Sequence, residues 1–201
     1  PKGAADTFKR VALELGGKGA SLIFADADET AVKRGVLHMM NNTGQSCNAP
    51  SRMLVERPYY AKAVEIARAV AEAGKGAPAS QSGKHVGPVV NRAKYDRIQG
   101  FIATGIREGA RLVAGGPDRP EHLNRGYFVR PTVFADVTDD MTIAREEIFG
   151  PVLSILRYET EAEAVARAND TPYGLASYVQ SGSIERARRV AAQMRSGSVY
   201  I

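Results

Sequence analysis

The chain has little of several features that mark special classes of protein. It contains one cysteine in 201 residues, so no internal disulfide can form and nothing indicates an oxidising compartment. No run of about eighteen apolar residues is present, which argues against a transmembrane helix. The first residues (PKGAA) do not form the apolar core of a signal peptide. We therefore expect a cytoplasmic protein with no membrane association.

The common phosphate-binding and metal-binding motifs are also missing. Neither G-x-G-x-x-G nor G-x-x-x-x-G-K-[ST] occurs, and the glycine-rich run at residues 16–19 is explained more simply as a tight turn after a strand. The histidines are far apart, and none has a cysteine or carboxylate at ligand spacing. Asp26 and Asp28 suit the start of a helix better than a cation site. We expect no metal.

What the chain does have is the composition of an ordinary globular domain, with 44% hydrophobic and 24% charged residues. Its net charge of +5 and pI of about 9.4 raise the hypothesis of a nucleic-acid partner. The basic residues are scattered, however, and aromatic residues are not interleaved with them as in base-stacking surfaces. We therefore expect no nucleic-acid partner.

Short apolar runs alternate with helical patterns along the whole chain. Strands are predicted at residues 11–15, 21–24, 53–56, 111–114, 128–137, 151–158, 176–180 and 198–201. Helices are predicted at residues 29–42, 58–73, 92–108, 161–169 and 184–194. This alternation predicts an α/β fold, a mainly parallel sheet with flanking helices, in one domain over residues 1–201.

The single cysteine, Cys47, is a candidate nucleophile. A thiol, with Glu14 upstream as a base, is the minimum equipment for covalent chemistry on a carbonyl. The alternative is that Cys47 is a small, buried, inert apolar residue, as most lone cysteines are. Glu146 and Glu147 are adjacent, and in an extended segment they face opposite sides. They therefore cannot act as a paired acid and base on one substrate.

Three runs in this sequence resemble the signature motifs of one family. ELGGK at residues 14–18, GQSC at 44–47 and EEIFGPV at 146–152 are similar to those of the NAD(P)-dependent aldehyde dehydrogenases, in the same order. Weaker similarities occur at residues 87–91, 126–132 and 169–176. The resemblance spans nearly the whole chain and implies the fold of the family's catalytic domain.

The resemblance implies a role for each candidate residue. Cys47 would form a thiohemiacetal with the aldehyde, and loss of hydride to the nicotinamide would leave a thioester. Glu14 would activate the hydrolytic water, and a position just after an apolar strand suits a pKa raised by partial burial. Glu147 would hydrogen-bond the ribose next to the nicotinamide, and Phe149 would pack near that ribose. Leu15 would lie close to the nicotinamide ring.

The resemblance also implies partners and neighbouring segments. The cofactor would be NAD or NADP, the substrate a small-molecule aldehyde, and the assembly a homo-oligomer, dimer or tetramer. Lys94 and Arg97 occupy places where the family often has Gln and Lys near a cofactor ribose. In the family, the backbone N–H of the cysteine and an asparagine side chain stabilise the oxyanion.

That asparagine and the N-terminal dinucleotide-binding segment would lie upstream of Pro1, and part of the substrate funnel downstream of Ile201. We therefore expect a catalytic domain truncated at both ends. By itself it would be inactive as a dehydrogenase, with a residual esterase activity through Cys47.

Two departures from the family pattern bear on the site. The stretch from Glu14 to Cys47 is one residue shorter than usual, near residues 28–30. Ser46 and Asn48, which flank the cysteine, are small or polar, so they favour a less bulky or polar aldehyde.

Two other functions stay open at the level of sequence. An acylating aldehyde dehydrogenase would pass the thioester to coenzyme A, but such relatives commonly lack the base, so Glu14 argues against it. A non-catalytic oligomerisation module is opposed by the joint presence of Cys47, Glu14 and Glu147.

Overall fold

The computed structural model describes residues 2–78, 80–81, 83 and 85–201, which form an α/β structure around one seven-stranded sheet. The strands are β1 (Ala20–Ile23), β2 (Arg52–Glu56), β3 (Arg111–Ala114), β4 (Thr132–Ala135), β5 (Val152–Tyr158), β6 (Ala176–Gln180) and β7 (Ser198–Tyr200). The helices are α1 (Lys2–Ala5), α2 (Ala31–Met40), α3 (Arg57–Ala73), α4 (Arg92–Arg107), α5 (Thr142–Arg145), α6 (Glu161–Asn169) and α7 (Ile184–Ala191), and a 3₁₀ turn follows α2 at Asn41–Gly44.

The sheet is mainly parallel, which confirms the predicted fold class. Its strand order is β3-β4-β5-β2-β1-β6-β7, and only the edge pair β3/β4 is antiparallel among the paired strands of the described residues. Parallel strands need crossover connections, and the helices between the strands supply them and cover both faces of the sheet.

The two faces of the sheet carry separate cores. Leu22 and Ile23 are consecutive in β1 and both fully buried, but they belong to different clusters because strand side chains alternate between faces. The Leu22 cluster includes residues of α4, α6 and α7. The Ile23 cluster includes residues of α2 and α3. Helices on both faces therefore hold the central strands rigid.

Local signals set several helix boundaries. Helix α3 has Pro58 in its first turn and ends before Gly74, as the sequence predicted. Helix α4 begins after Asn91, whose side-chain oxygen accepts a hydrogen bond from the Lys94 N–H at 2.9 Å. The predicted helix at residues 29–42 is shorter than expected, because it continues as the 3₁₀ turn.

The predicted strand at residues 11–15 is wrong. This segment pairs with no described strand, and Val11, Leu13 and Leu15 are 46%, 62% and 63% exposed. An alternating apolar pattern becomes a strand only where a neighbouring strand supplies hydrogen-bond partners, and no described strand lies there. The short helix α5 was not predicted.

Within the described ranges, no helix has the length and apolar character needed to cross a bilayer.

Candidate active site

All five residues singled out as catalytic or cofactor-binding line one cleft. Its volume is about 510 Å³. The lining residues come from three separate parts of the chain and are Glu14, Leu15, Gly16, Gln45, Ser46, Cys47, Asn48, Glu147 and Phe149. These parts immediately precede β1, β2 and β5, which are neighbours in the sheet. Because the three strands are parallel, their amino ends meet at the same edge, and the cleft lies there.

The nucleophile candidate follows a turn of unusual backbone conformation. Asn42, Thr43 and Gly44 all have positive φ, of 49°, 58° and 67°. This conformation is an outlier for a β-branched residue such as Thr43, and strained residues of this kind concentrate at functional sites. Beyond the turn, Cys47 is half-buried and opens onto the cleft. The alternative of a small, buried apolar residue is therefore wrong about burial, and the reactivity of Cys47 stays a prediction.

The glycine pair of the ELGGK run allows two close approaches. A Cβ at Gly17 would overlap the carbonyl oxygen of Cys47, and a Cβ at Gly16 would lie 2.6 Å from Oε2 of Glu147. Neither glycine has a positive φ. The predicted tight turn is therefore not the reason for these glycines. They are needed because the backbone passes directly against the cysteine loop and the Glu147 carboxylate.

Glu147 is anchored by this glycine pair. Its Oε1 accepts a hydrogen bond from the Gly17 N–H at 2.9 Å, across 130 residues of sequence. Glu147 is partly buried and lines the cleft, whereas Glu146 is exposed, so the two carboxylates do face different environments as predicted. The fixed carboxylate keeps further acceptor capacity for a donor in the cleft.

Phe149 lines the same wall of the cleft, with a φ of 57°. The ammonium group of Lys94 lies 4.8 Å from the centre of its ring, within cation–π range. Arg97 donates from Nη2 to the backbone oxygen of Glu147 at 3.4 Å. Burial, and then the positive charge of Arg97, lowers the pKa of Lys94, against an opposing effect of Glu147. Both basic residues therefore do lie beside Glu147 and Phe149.

Glu14 and Leu15 lie on the segment before β1 that has no regular secondary structure. Both are exposed while they line the cleft, and Leu15 is 63% exposed. The sequence predicted partial burial of Glu14 behind a strand, and this is wrong because the segment has no strand partner in the described part of the chain. Its carboxylate is instead open to water.

Lys18 was not singled out from the sequence, yet it is the most unusual charged residue near the cleft. It is 2% exposed, and its Nζ has no hydrogen-bond partner among the described residues. Burial, and then the positive charge of Arg52, lower its pKa to about 7, against the opposing effects of Glu147 and Glu146. The signal in the sequence that could have identified Lys18 is its position directly after Gly16 and Gly17.

Metal ligands do not cluster in the described ranges. No group of three His, Cys, Asp or Glu side chains that could hold an ion is found among these residues. Asp28 instead accepts hydrogen bonds from the Thr30 N–H and the Arg34 guanidinium, close to the start of α2. This is the helix-start role that the sequence favoured.

The comparison with protein families gives a match over nearly the whole chain. The model of the aldehyde dehydrogenase family matches residues 2–201. The chain belongs to the aldehyde dehydrogenase family. This membership confirms the resemblance found in the three sequence runs.

Individual aldehyde dehydrogenases are similar in both sequence and fold. The 3-succinoylsemialdehyde-pyridine dehydrogenase of a Pseudomonas species is 52% identical over 199 residues, which are 98% of this chain and 42% of that protein. The crystal structure of aldehyde dehydrogenase from Bartonella henselae superposes with a TM-score of 0.96 and 58% identity, covering 99% of this chain and 42% of that one.

A third similar structure carries ligands. It is a mutant of aldehyde dehydrogenase C from Pseudomonas syringae in complex with NAD+ and octanal, with a TM-score of 0.93, 46% identity and coverage of 99% of this chain and 41% of that one. The chain thus spans about two fifths of the length of the aldehyde dehydrogenases it matches.

Proposed function

We propose that a protein carrying this chain oxidises an aldehyde to a carboxylic acid with NAD or NADP. The observation that carries the proposal is the single cleft that joins a half-buried thiol, an exposed carboxylate and an anchored carboxylate: Cys47, Glu14 and Glu147. Family membership makes aldehyde chemistry the expected use of this set.

The thiol and the exposed carboxylate divide the chemistry between them. The Cys47 thiolate attacks the aldehyde carbon, which forms a thiohemiacetal. The nicotinamide cofactor, when bound, supplies the hydride acceptor. Loss of hydride leaves a thioester on Cys47, and Glu14 takes a proton from the water that hydrolyses it. An exposed position suits this last step, because water reaches Glu14 directly.

The other wall of the cleft fits a ribose and its nicotinamide. The Glu147 carboxylate is held by the Gly17 N–H and keeps acceptor capacity for ribose hydroxyls. Phe149 and Leu15 add apolar surface to the same cleft. We assign the cofactor to these residues, and NAD is supported by the NAD+ complex of the similar Pseudomonas syringae protein.

The substrate class is proposed from the residues beside the thiol. Ser46 and Asn48 line the cleft and are small or polar, which favours a less bulky or polar aldehyde. One similar protein is named as a dehydrogenase of a semialdehyde, and another is a mutant in complex with octanal. The homo-oligomeric assembly, the cytoplasmic location and the single catalytic domain over residues 1–201 stay predictions.

Three substitutions test this assignment. They are made in a polypeptide that contains this chain and has the full length of the aldehyde dehydrogenases it matches. Cys47→Ala should abolish aldehyde oxidation. Glu14→Gln should retain a first burst of NADH but lower turnover by about 10²–10⁴-fold, because thioester hydrolysis loses its base. Glu147→Gln should raise the KM for the cofactor. Stopped-flow absorbance at the NADH band measures all three.

Aldehyde oxidation that survives Cys47→Ala would contradict the proposal. Product analysis with and without coenzyme A separates the acylating alternative: a free carboxylic acid in both cases supports hydrolysis through Glu14, and an acyl thioester formed only with coenzyme A opposes it.

A further inference from the structure

Gln45 makes hydrogen bonds in two directions from the loop that carries Cys47. Its Oε1 accepts from the backbone N–H of Val90 at 2.9 Å. Its Nε2 and backbone N–H both donate to the Asn42 carbonyl oxygen, at 3.2 and 3.1 Å. Asn42 Nδ2 in turn donates to the Gln45 carbonyl oxygen at 2.9 Å. The side chain therefore joins the turn before Cys47 to the segment that leads into α4.

The turn that Gln45 closes needs external support. The left-handed conformation of a β-branched residue is unfavourable and persists only where the surroundings determine it. Buried Thr43 has this conformation, and its hydroxyl donates to the Gly87 carbonyl oxygen at 3.1 Å. Gly87 and Val90 belong to the same short segment before α4, so that segment holds the turn at two points.

Helix α4 also contacts the opposite wall of the cleft. Its first turns carry Lys94, which lies over Phe149, and Arg97, which donates to the Glu147 backbone. The amino end of α4 thus touches both walls. Gln45 is the side chain that connects this end to the cysteine loop.

We propose that Gln45 is a positioning residue, which sets the orientation of the Cys47 thiol by tying the strained turn to the amino end of α4. This inference rests on the proposed role of Cys47 as nucleophile. Gln45 itself takes no part in bond making. Its effect is on reactions that need a defined direction of attack, and a reaction that needs only an exposed thiolate is insensitive to it.

Two reactions of the Cys47 thiol distinguish an effect on orientation from an effect on exposure. Both can be measured on this chain. Alkylation by iodoacetamide requires an exposed thiolate, whereas acylation by p-nitrophenyl acetate also requires the carbonyl oxygen to meet donors at the loop. Intact-mass spectrometry gives both rates. The ratio of the acylation rate to the alkylation rate cancels any change in the fraction of thiolate, so it reports orientation.

Gln45→Met removes the acceptor for the Val90 N–H at nearly constant volume. The matched control is Gln99→Met, because Gln99 Oε1 also accepts a backbone N–H, that of Asp118 at 2.8 Å, without lining the cleft. We expect Gln45→Met to lower the ratio by about tenfold to a hundredfold. Gln99→Met should leave the ratio unchanged, with a similar loss of thermal stability.

A conservative variant completes the test. Gln45→Glu keeps an acceptor oxygen for the Val90 N–H but loses the Nε2 donor to the Asn42 carbonyl oxygen, so it should lower the ratio less than Gln45→Met does. An unchanged ratio in Gln45→Met, or an equal fall in Gln99→Met, would overturn the positioning role. If peptide mapping finds no acyl group on Cys47 in the unchanged chain, or if Cys47→Ala reacts with the ester as fast as the unchanged chain, the nucleophile assignment fails and the inference fails with it.

Discussion

At the scale of single residues, the cleft depends on a backbone that passes very close to the cysteine loop, and the next residue along that backbone is a buried lysine. Gly17 brings its N–H to Glu147 and leaves no room for a Cβ beside Cys47. Lys18, the next residue, is buried without a hydrogen-bond partner for Nζ among the described residues. Each feature has a separate, measurable effect on stability.

The first prediction concerns the charge of Lys18. Its pKa falls from 10.5 to about 7 in the folded chain because of burial, so between these pH values the unfolded chain binds more protons. The free energy of unfolding therefore rises with pH across this window. Lys18→Met should remove that slope and stabilise the chain by about 1–4 kcal/mol below pH 7, where the buried ammonium is charged.

Urea unfolding at a series of pH values from 6 to 10 measures both effects. Lys33→Met, at an exposed lysine of α2, is the control and should change neither quantity. A loss of stability in Lys18→Met that is the same at every pH would show that Nζ is well solvated or paired in the folded chain.

The second prediction concerns the approach at Gly17. In Gly17→Ala the new Cβ overlaps the Cys47 carbonyl oxygen, so the cysteine loop must move or the chain must lose stability, by about 1–3 kcal/mol. Gly100→Ala is the matched control, because a Cβ there meets nothing within 4 Å in the middle of α4. Gly100→Ala should stabilise the chain by about 0.5–1 kcal/mol.

Thermal unfolding and the acylation rate of Cys47 report the two effects together. Equal stability and acylation rates in the unchanged chain and Gly17→Ala would mean that the glycine is not needed for the approach.

At the scale of secondary structure elements, helix starts are the places where the sequence acts most directly on the site. In the described part of the chain, three helices have a side-chain cap at the N-terminus: α4, α6 and α7. Of these three helices, α4 contacts residues that line the cleft: Lys94 lies over Phe149, and Arg97 donates to the Glu147 backbone. The same local device therefore serves stability in α6 and both stability and site geometry in α4.

The third prediction uses this difference. Asn91→Ala removes the cap of α4 and should cost about 1 kcal/mol of stability, and it should also slow the acylation of Cys47, because Val90 at the same helix end holds Gln45. Thr160→Ala removes the equivalent cap of α6, a hydrogen bond to the Glu163 N–H, and should cost a similar amount with no effect on acylation. Equal acylation rates in Asn91→Ala and Thr160→Ala would show that the start of α4 has no influence on the reactivity of Cys47.

At the scale of the whole molecule, the sheet distributes stability unevenly. The central strands β1, β2 and β5 have neighbours on both sides and helices on both faces. The segment that carries Glu14 and Leu15 has neither, and its apolar side chains are exposed. One wall of the cleft is therefore built on the most stable part of the fold and another on an unpaired stretch.

The fourth prediction follows from this distribution. Backbone amides at residues 11–15 should exchange with solvent at close to the rate of an unfolded chain, whereas those of β2 and β5 should exchange only through global unfolding. Hydrogen–deuterium exchange with peptide mass spectrometry measures both in one experiment. Protection at residues 11–15 comparable to that of β2 would show that the segment is held by contacts beyond those described.

Much of the fold was open to prediction because its signals are local. Pro58 and Gly74 delimit α3, residues 161–169 and 176–180 form the predicted helix and strand, and short apolar runs mark the buried strands. The strand prediction at residues 11–15 was wrong for the same reason, because it also used only a local pattern. A strand needs a partner elsewhere, and alternation of side chains does not reveal whether one is present.

The sequence by itself determined the family, the parallel α/β class and the side chains able to do chemistry, since these depend on motifs and patterns only a few residues long. The family resemblance already implied one site for residues near 15, 47 and 148, and the tertiary structure shows how they come together, through the strand order β5-β2-β1. It also decided that Glu14 is exposed, that Lys18 is buried, and that Gln45 reaches Val90. Burial and contacts across many residues depend on which strands become neighbours, and no local pattern carries that information.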